Sequence, residues 1–265
     1  MIPPVKPLSS ILQISEIHFM KRVFLSFFLS CALSAPVFAG EADAGRVKAE
    51  LVRAFPELSK ATVKPAPVPG LYQVEDDAQV FYTTSDGKYL FVGDLVDVGA
   101  HASLTEARRA ELRVQMLNAV GEKNMIVMGP DKPKRTLTVF TDVDCPYCAK
   151  FHLDVPTLNQ AGVKVRYLFF PRTGIGSESY KRAVAVWCAS DRVKAIGIAK
   201  AGGKLDMKTC PNPVEHDYQL GQRLGVEGTP TIFLDDGKKL PGYVPAPRLL
   251  VMLGLKGEPA GTVVR

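Results

Sequence analysis

The chain has 265 residues, 46% of them hydrophobic, a formal net charge of +6 and five cysteines. Its basic residues are scattered, with no long single-sign tract or Lys/Arg-rich stripe, which argues against nucleic acid as a partner. The length suits one large domain or two smaller ones.

From Met20 the chain reads Lys21-Arg22, an apolar stretch from Val23 to Leu33, and Ser34-Ala35-Pro36-Val37-Phe38-Ala39 before the polar Gly40-Glu41-Ala42-Asp43. A short basic region, an apolar core and a small residue at the cut describe a secretory signal peptide. Cleavage is placed after Ala39, and residues 1–19 read as an upstream extension, because Met20 opens a complete signal by itself. The alternatives are a membrane anchor, for which the run falls short of the ~20 apolar residues needed, and a lipoprotein cut before Cys31. The context Phe28-Leu29-Ser30 and the apolar residues beyond Cys31 speak against the latter. Removing three basic residues and one acidic residue with the leader takes the charge from +6 to +4 and the cysteines from five to four. An even number in an oxidising compartment invites pairing as Cys145 with Cys148 and Cys188 with Cys210.

The first domain, residues 40–100, opens on a predicted helix in which Val47, Leu51 and Phe55 repeat at i, i+4 and i+8 and Pro56 ends the pattern. The run Pro65-Ala66-Pro67-Val68-Pro69-Gly70 breaks regular structure. Strands are predicted over 70–75, 79–84 and 89–98, the last two joined by a Ser85-Asp86-Gly87-Lys88 turn. A helix on so short a sheet is marginal alone, which favours pairing with a second copy. Residues 101–130 are read as a linker region. There Ser103-Leu104-Thr105-Glu106 has capping-box spacing, and Leu104, Ala107, Ala110, Val114 and Leu117 mark one helix face. Arg108, Arg109, Glu111 and Arg113 read as the solvated remainder.

The second domain, 131–265, reads as strand, helix, strand over 163–170, a helical insertion, helix 213–224, strand 231–234, a hairpin turn at Asp235-Asp236-Gly237-Lys238, strand and terminal helix 247–255. This order is a thioredoxin arrangement. Its first helix opens on Cys145-Pro146-Tyr147-Cys148. A cysteine there faces unpaired backbone N–H groups and the positive end of the helix dipole, which favour a thiolate. Cys148 returns one turn later, within reach of a reversible disulfide. Zinc sites share the spacing but normally need a second ligand pair, and Cys188 and Cys210 do not form one. Covalent haem attachment needs His directly after the second cysteine, where Ala149 stands.

Thr229-Pro230, before the β-branched run Thr231-Ile232-Phe233, is by itself an ordinary turn into a strand. Some 80 residues after the C-x-x-C helix it reads as an active-site loop. Cys188 and Cys210 read as a structural staple, with a second catalytic centre as the rival reading. His152, four residues after Cys148, is read as a solvated helix position rather than a proton-transfer group.

The leader, the small first domain, the linker helix, Phe140-Thr141-Asp142-Val143-Asp144-Cys145-Pro146-Tyr147-Cys148, Ala185-Val186-Trp187-Cys188-Ala189 and Gly228-Thr229-Pro230 occur here in one order. Together they resemble the DsbC/DsbG family of periplasmic thiol:disulfide interchange proteins. Pro146 is similar to the DsbG side of the family, and the Cys188 and Cys210 pair to the DsbC side. The resemblance implies an α+β protein: a thioredoxin-like catalytic domain with a helical insertion, a small cystatin-like dimerisation domain and a linker helix. It implies a periplasmic homodimer that acts on misfolded exported proteins with wrong disulfides, is reduced by a membrane thiol reductase of DsbD type, and needs no metal or organic cofactor. Cys145 and Cys148 are then the catalytic pair, with Pro146, Tyr147, Thr229 and Pro230 around them at the substrate edge. A single-cysteine reductase and a chaperone are the other functions the sequence leaves open.

Overall fold

The structure is a computed structural model that describes residues 41–255. The signal peptide, its cut after Ala39, Met20 and Cys31 lie outside the described residues.

The first helix, α1 (Glu41–Ala54), lies on one face of a four-stranded antiparallel sheet of order β1-β2-β3-β4, with β1 Thr62–Pro65, β2 Leu71–Asp76, β3 Gln79–Thr84 and β4 Leu90–Phe91. Ala44, Val47 and Leu51 recur at helical spacing and pack on Tyr72 and Val74. Phe55, expected to continue that stripe, is half-exposed, because the helix ends at Ala54 and a 3-10 turn over Pro56–Lys60 turns Leu58 inward instead. Strand β1 lies just ahead of the predicted break, in a stretch to which the sequence assigned no element, and shares only Pro65 with it. The predicted strand over 89–98 is interrupted, yielding β4 and a two-residue β5 (Val96–Asp97) that pairs with β6 (Ala102–Ser103).

Side chains alternate across a strand, so Gln73, Glu75, Val80 and Tyr82 share the face opposite α1. Helix α2 (Leu104–Val120) docks there. Ser103 caps it by accepting the Glu106 N–H at 3.0 Å. Its inward residues are Thr105, Leu112, Arg113, Leu117 and Val120, while Ala107 is exposed. The arginines are therefore not a solvated remainder. Arg108 pairs with the buried Glu75 at 2.7 Å, and Arg113 is buried against Glu106 and the Gly237 carbonyl. Thr105 Oγ1 joins the Tyr82 hydroxyl at 2.8 Å and accepts the Leu95 N–H. Leu117 of the predicted stripe does face inward, but apolar patterning missed Thr105 and Arg113, whose inward contacts are polar.

The second sheet has the order β11-β10-β8-β9-β7, from β7 (Ile126–Met128), β8 (Arg135–Thr141), β9 (Val163–Phe169), β10 (Thr231–Leu234) and β11 (Lys239–Pro241). Strands β8 and β9 are parallel and the other pairs antiparallel. The edge strand β7 lies in what the sequence presented as linker. The helix α3 (Pro146–Gln160) crosses between β8 and β9 and buries Phe151, Val155 and Leu158 at i, i+4 and i+7. With α7 (Ala246–Met252) and the insertion helices α4 (Glu178–Trp187) and α5 (Arg192–Lys200), it surrounds a core containing Leu137, Val139, Val165, Tyr167 and Ile232. The opposite face carries Phe140, Leu168 and Phe233 under α6 (Val214–Arg223). Leu112, Leu117, Val80 and Tyr82 join that second core, so α2 is wedged between the two sheets. Cys188, which caps α4, is bonded to Cys210 ahead of α6.

Candidate functional site

Strand β8 ends at Thr141, and the short connection Asp142-Val143-Asp144 delivers Cys145 to the N-cap of α3. Pro146 occupies the first turn, where the missing N–H costs nothing and the fixed φ suits a helix. The Cys145 N–H donates to the Asp142 carbonyl at 3.2 Å, and the Cys145 carbonyl accepts the Ala149 N–H at 3.0 Å. Across the site the chain before β10 returns as Thr229-Pro230, joined by a cis peptide bond, and the Cys145 thiol donates to the Thr229 carbonyl at 3.2 Å. Pro230 is buried, and Thr229 borders a shallow cleft lined also by Glu227, Gly228, Thr231 and Pro241. Tyr147 stands 63% exposed beside the motif.

The two thiols are unequal. Cys145 retains 1% of its surface and Cys148 none, and the two, which the cysteine count paired, are not bonded to each other here. The hydrogen bond from the Cys148 thiol lowers the pKa of Cys145, helped by Thr229, the Cys148 N–H and the charge of Arg172 against the opposing effect of burial. Burial drives Cys148 the other way, and an anion on Cys145 adds to the rise. One sulfur is thus poised as a thiolate and the other kept as its proton-bearing neighbour, the asymmetry that nucleophilic thiol exchange requires.

The sequence did not single out the groups below this pair. Asp142 is buried, and burial opposes its charge. Ser179, the N–H groups of Arg172 and Asp144, and the Arg172 guanidinium together hold its carboxylate below the ordinary range. Lys200, on α5, donates Nζ to Thr141 Oγ1 at 2.7 Å and to the Asp142 carbonyl at 3.2 Å. Its position was readable in retrospect: Ile196 and Lys200 share the inward face of α5 at i and i+4. His152 is half-buried, not solvated, with Nδ1 3.2 Å from the Tyr167 hydroxyl, and burial lowers its pKa to about 4. Among the described residues no group of three His, Cys, Asp or Glu side chains is placed to hold a metal ion.

Residues 122–255 match the thioredoxin-like domain family and residues 37–106 the disulfide bond isomerase protein N-terminal domain. The thiol:disulfide interchange protein DsbC of Escherichia coli K12 is 37% identical over 226 residues, 85% of this chain and 92% of its own. That of Dickeya dadantii is 37% identical over 233 residues, 88% of this chain and 94% of its own. The chain belongs to the DsbC family of thiol:disulfide interchange proteins. The crystal structure of a disulfide interchange protein from Neisseria gonorrhoeae is 29% identical, covers 51% of this chain and 96% of that one, and superposes with a TM-score of 0.46. Within the DsbC family frame, the α+β architecture read from the sequence, a thioredoxin-like domain preceded by a small separate one, describes this protein.

Proposed function

We propose that the mature chain is a periplasmic disulfide isomerase and reductase in which Cys145 attacks wrong disulfides of exported proteins and Cys148 resolves the adduct. The observation that carries this reading is the placement of the two sulfurs, Cys145 at the N-cap of α3 against the Thr229 carbonyl and Cys148 buried one turn further on; this favours a thiolate on the first and a proton on the second. The Cys145 thiolate displaces one sulfur of a substrate disulfide, forming a mixed disulfide and freeing a substrate thiolate to attack elsewhere. If rearrangement stalls, Cys148 closes on Cys145 and the substrate leaves reduced. A membrane thiol reductase of DsbD type then restores the dithiol.

Thr229, Pro230, Pro146 and Tyr147 form the surface that meets an extended substrate, and the Cys188–Cys210 bridge holds the insertion. Thr229 borders the thiols, and its side chain helps to favour the Cys145 thiolate. The chain divides into a signal peptide (1–39), a dimerisation domain (40–100), a linker (101–130) whose last residues lend strand β7 to the following sheet, and a catalytic domain (131–265). An apolar edge supports pairing of two copies: β4 is the outer strand of its sheet, and Tyr89, Phe91, Val92, Val96 and Val98 are each exposed by about half or more.

The test is reactivation of a scrambled multi-disulfide enzyme by the pre-reduced mature protein and by Cys145→Ser. Recovery confined to the wild type is expected. A folded, reducible wild type that restores nothing rules isomerisation out and leaves the reductase or chaperone reading.

A further inference from the structure

The exchange cycle above gives no task to a lysine that the insertion holds under the redox pair. Lys200 is 9% exposed, although its stem is long enough to carry an ammonium to water from most helix positions. Here it turns inward and donates to Thr141 Oγ1 and the Asp142 carbonyl. Thr141 closes the strand that leads into the motif, and both its hydroxyl and the Lys200 charge favour the Cys148 thiolate against the effect of burial. A buried cation is therefore hydrogen-bonded to a hydroxyl that acts on the buried thiol, the thiol that must become an anion if the substrate is to leave.

We propose that Lys200 is a positioning residue for the resolving half of the cycle: its ammonium, acting through the Thr141 hydroxyl, favours the Cys148 thiolate. The proposal rests on the assignment of Cys145 as attacking and Cys148 as resolving thiol. In the resolving step Cys145 Sγ is bonded to a substrate sulfur. Cys148 Sγ loses its proton to water and attacks Cys145 Sγ. The bond from Cys145 to the substrate breaks, and its electron pair leaves on the substrate sulfur, which takes a proton from water. One disulfide forms within the enzyme, one bond to substrate is lost, and two electrons pass to the substrate.

The thiol needs this help, because burial alone disfavours its anion. The other titratable and charged groups facing Lys200 and Cys148 are Cys145, Asp142, Asp144, His152, Tyr167 and Arg172. Asp142 is bound to Arg172 and Ser179, and Asp144 is paired with Arg182 at 3.1 Å. His152 is neutral above acid pH because burial disfavours its cation. In the mixed disulfide Cys145 carries no charge, so Lys200 then faces Cys148 without a competing thiolate.

The experiment follows the full mature protein, pre-reduced, through a single turnover with a peptide disulfide, quenched by acid. Formation and decay of the Cys145-linked mixed disulfide are timed between about pH 6 and 10. Lys200→Met is expected to slow decay about tenfold at neutral pH, the thiolate population lost with one pKa unit, and to slow formation less. The loss should vanish as the pH rises, the profile being displaced alkaline. Lys200→Arg, which keeps the cation, should restore most of the decay rate, and Thr141→Val should reproduce the Met profile. A Lys200→Met profile superimposed on the wild type overturns the proposal, and so does a loss equal at every pH, the signature of a packing defect. Failure of Cys148→Ser to accumulate any Cys145-linked substrate overturns instead the thiol assignment beneath it.

Discussion

Asp142 holds Arg172 at both ends, accepting its backbone N–H at 2.9 Å and its Nε at 3.1 Å on the same carboxylate oxygen. This fixes a guanidinium near Cys145, where its charge favours the thiolate. A hydrogen bond from Cys148 is the stronger influence on Cys145, followed by the contact with Thr229. The expected order of effects follows. Cys148→Ala should raise the midpoint of Cys145 alkylation against pH by more than Arg172→Gln, and the latter by about half to one unit. Alkylation rates across the pH range, or ultraviolet thiolate absorbance, measure both. A midpoint unmoved by Arg172→Gln means that the guanidinium is screened from the sulfur.

The redox motif was legible because its chemistry is local: a helix N-terminus and a four-residue spacing are both written in consecutive residues. The strands Gln79–Thr84 and Thr231–Leu234 were legible for the same reason, through β-branched runs next to Asp-Gly turns. Strand β1 was not, since Thr62–Pro65 ends in a proline and pairs through the backbone of β2. Nor were Arg172, Lys200 or Thr141, which come from separate elements and meet only when the insertion folds over β8. Arg108 and Arg113 were misleading, because a charged residue reads as solvated until its partners are known.

Gly237 turns the hairpin between β10 and β11 with φ +84°, and a β-carbon there would fall 2.1 Å from the Ala110 carbonyl oxygen of α2. The turn and the linker helix touch backbone to backbone, so neither side can yield by rotating a side chain. Gly237→Ala should cost about 2–4 kcal/mol, combining overpacking with a positive φ. Gly174→Ala is the control, since φ is +89° there but the space is open, and about 1 kcal/mol is expected. Urea unfolding compares the two. Equal losses would show that α2 moves aside freely.

Cys188 and Cys210 are bonded across a separation of 22 residues and tie the end of α4 to the segment before α6. Closing a loop of that size is worth about 3 kcal/mol in the chain-entropy model. The double replacement Cys188→Ser with Cys210→Ser, which leaves no unpaired thiol behind, should lower stability by that order. Cys145 should keep its alkylation midpoint, because none of the groups that acidify it lies on the bridge. Loss of the midpoint together with stability would mean that the bridge also sets the geometry under the thiols.

Asp217 gives the fold its own pH dependence. Its Oδ2 accepts the Phe169 N–H at 3.1 Å, but Oδ1 is buried with no hydrogen-bond partner, and His216 Nδ1 stays 4.0 Å away. Burial pushes the carboxyl pKa up to about 8, so the folded protein keeps at neutral pH a proton that the unfolded chain releases near the ordinary Asp value of 3.8. The folded pKa is the higher one. Its contribution to stability is therefore complete below pH 4, declines between about 4 and 8, and is gone above 8. The slope reaches about 1.4 kcal/mol per pH unit at most, since one proton separates the two states. Asp217→Asn keeps the shape and removes the proton. Urea midpoints for the variant should fall less than those of the wild type between pH 5 and 8, and the variant should be the more stable of the two at pH 9. Parallel midpoints across that range would mean that Asp217 ionises as freely in the folded protein as in the unfolded one, through water reaching Oδ1.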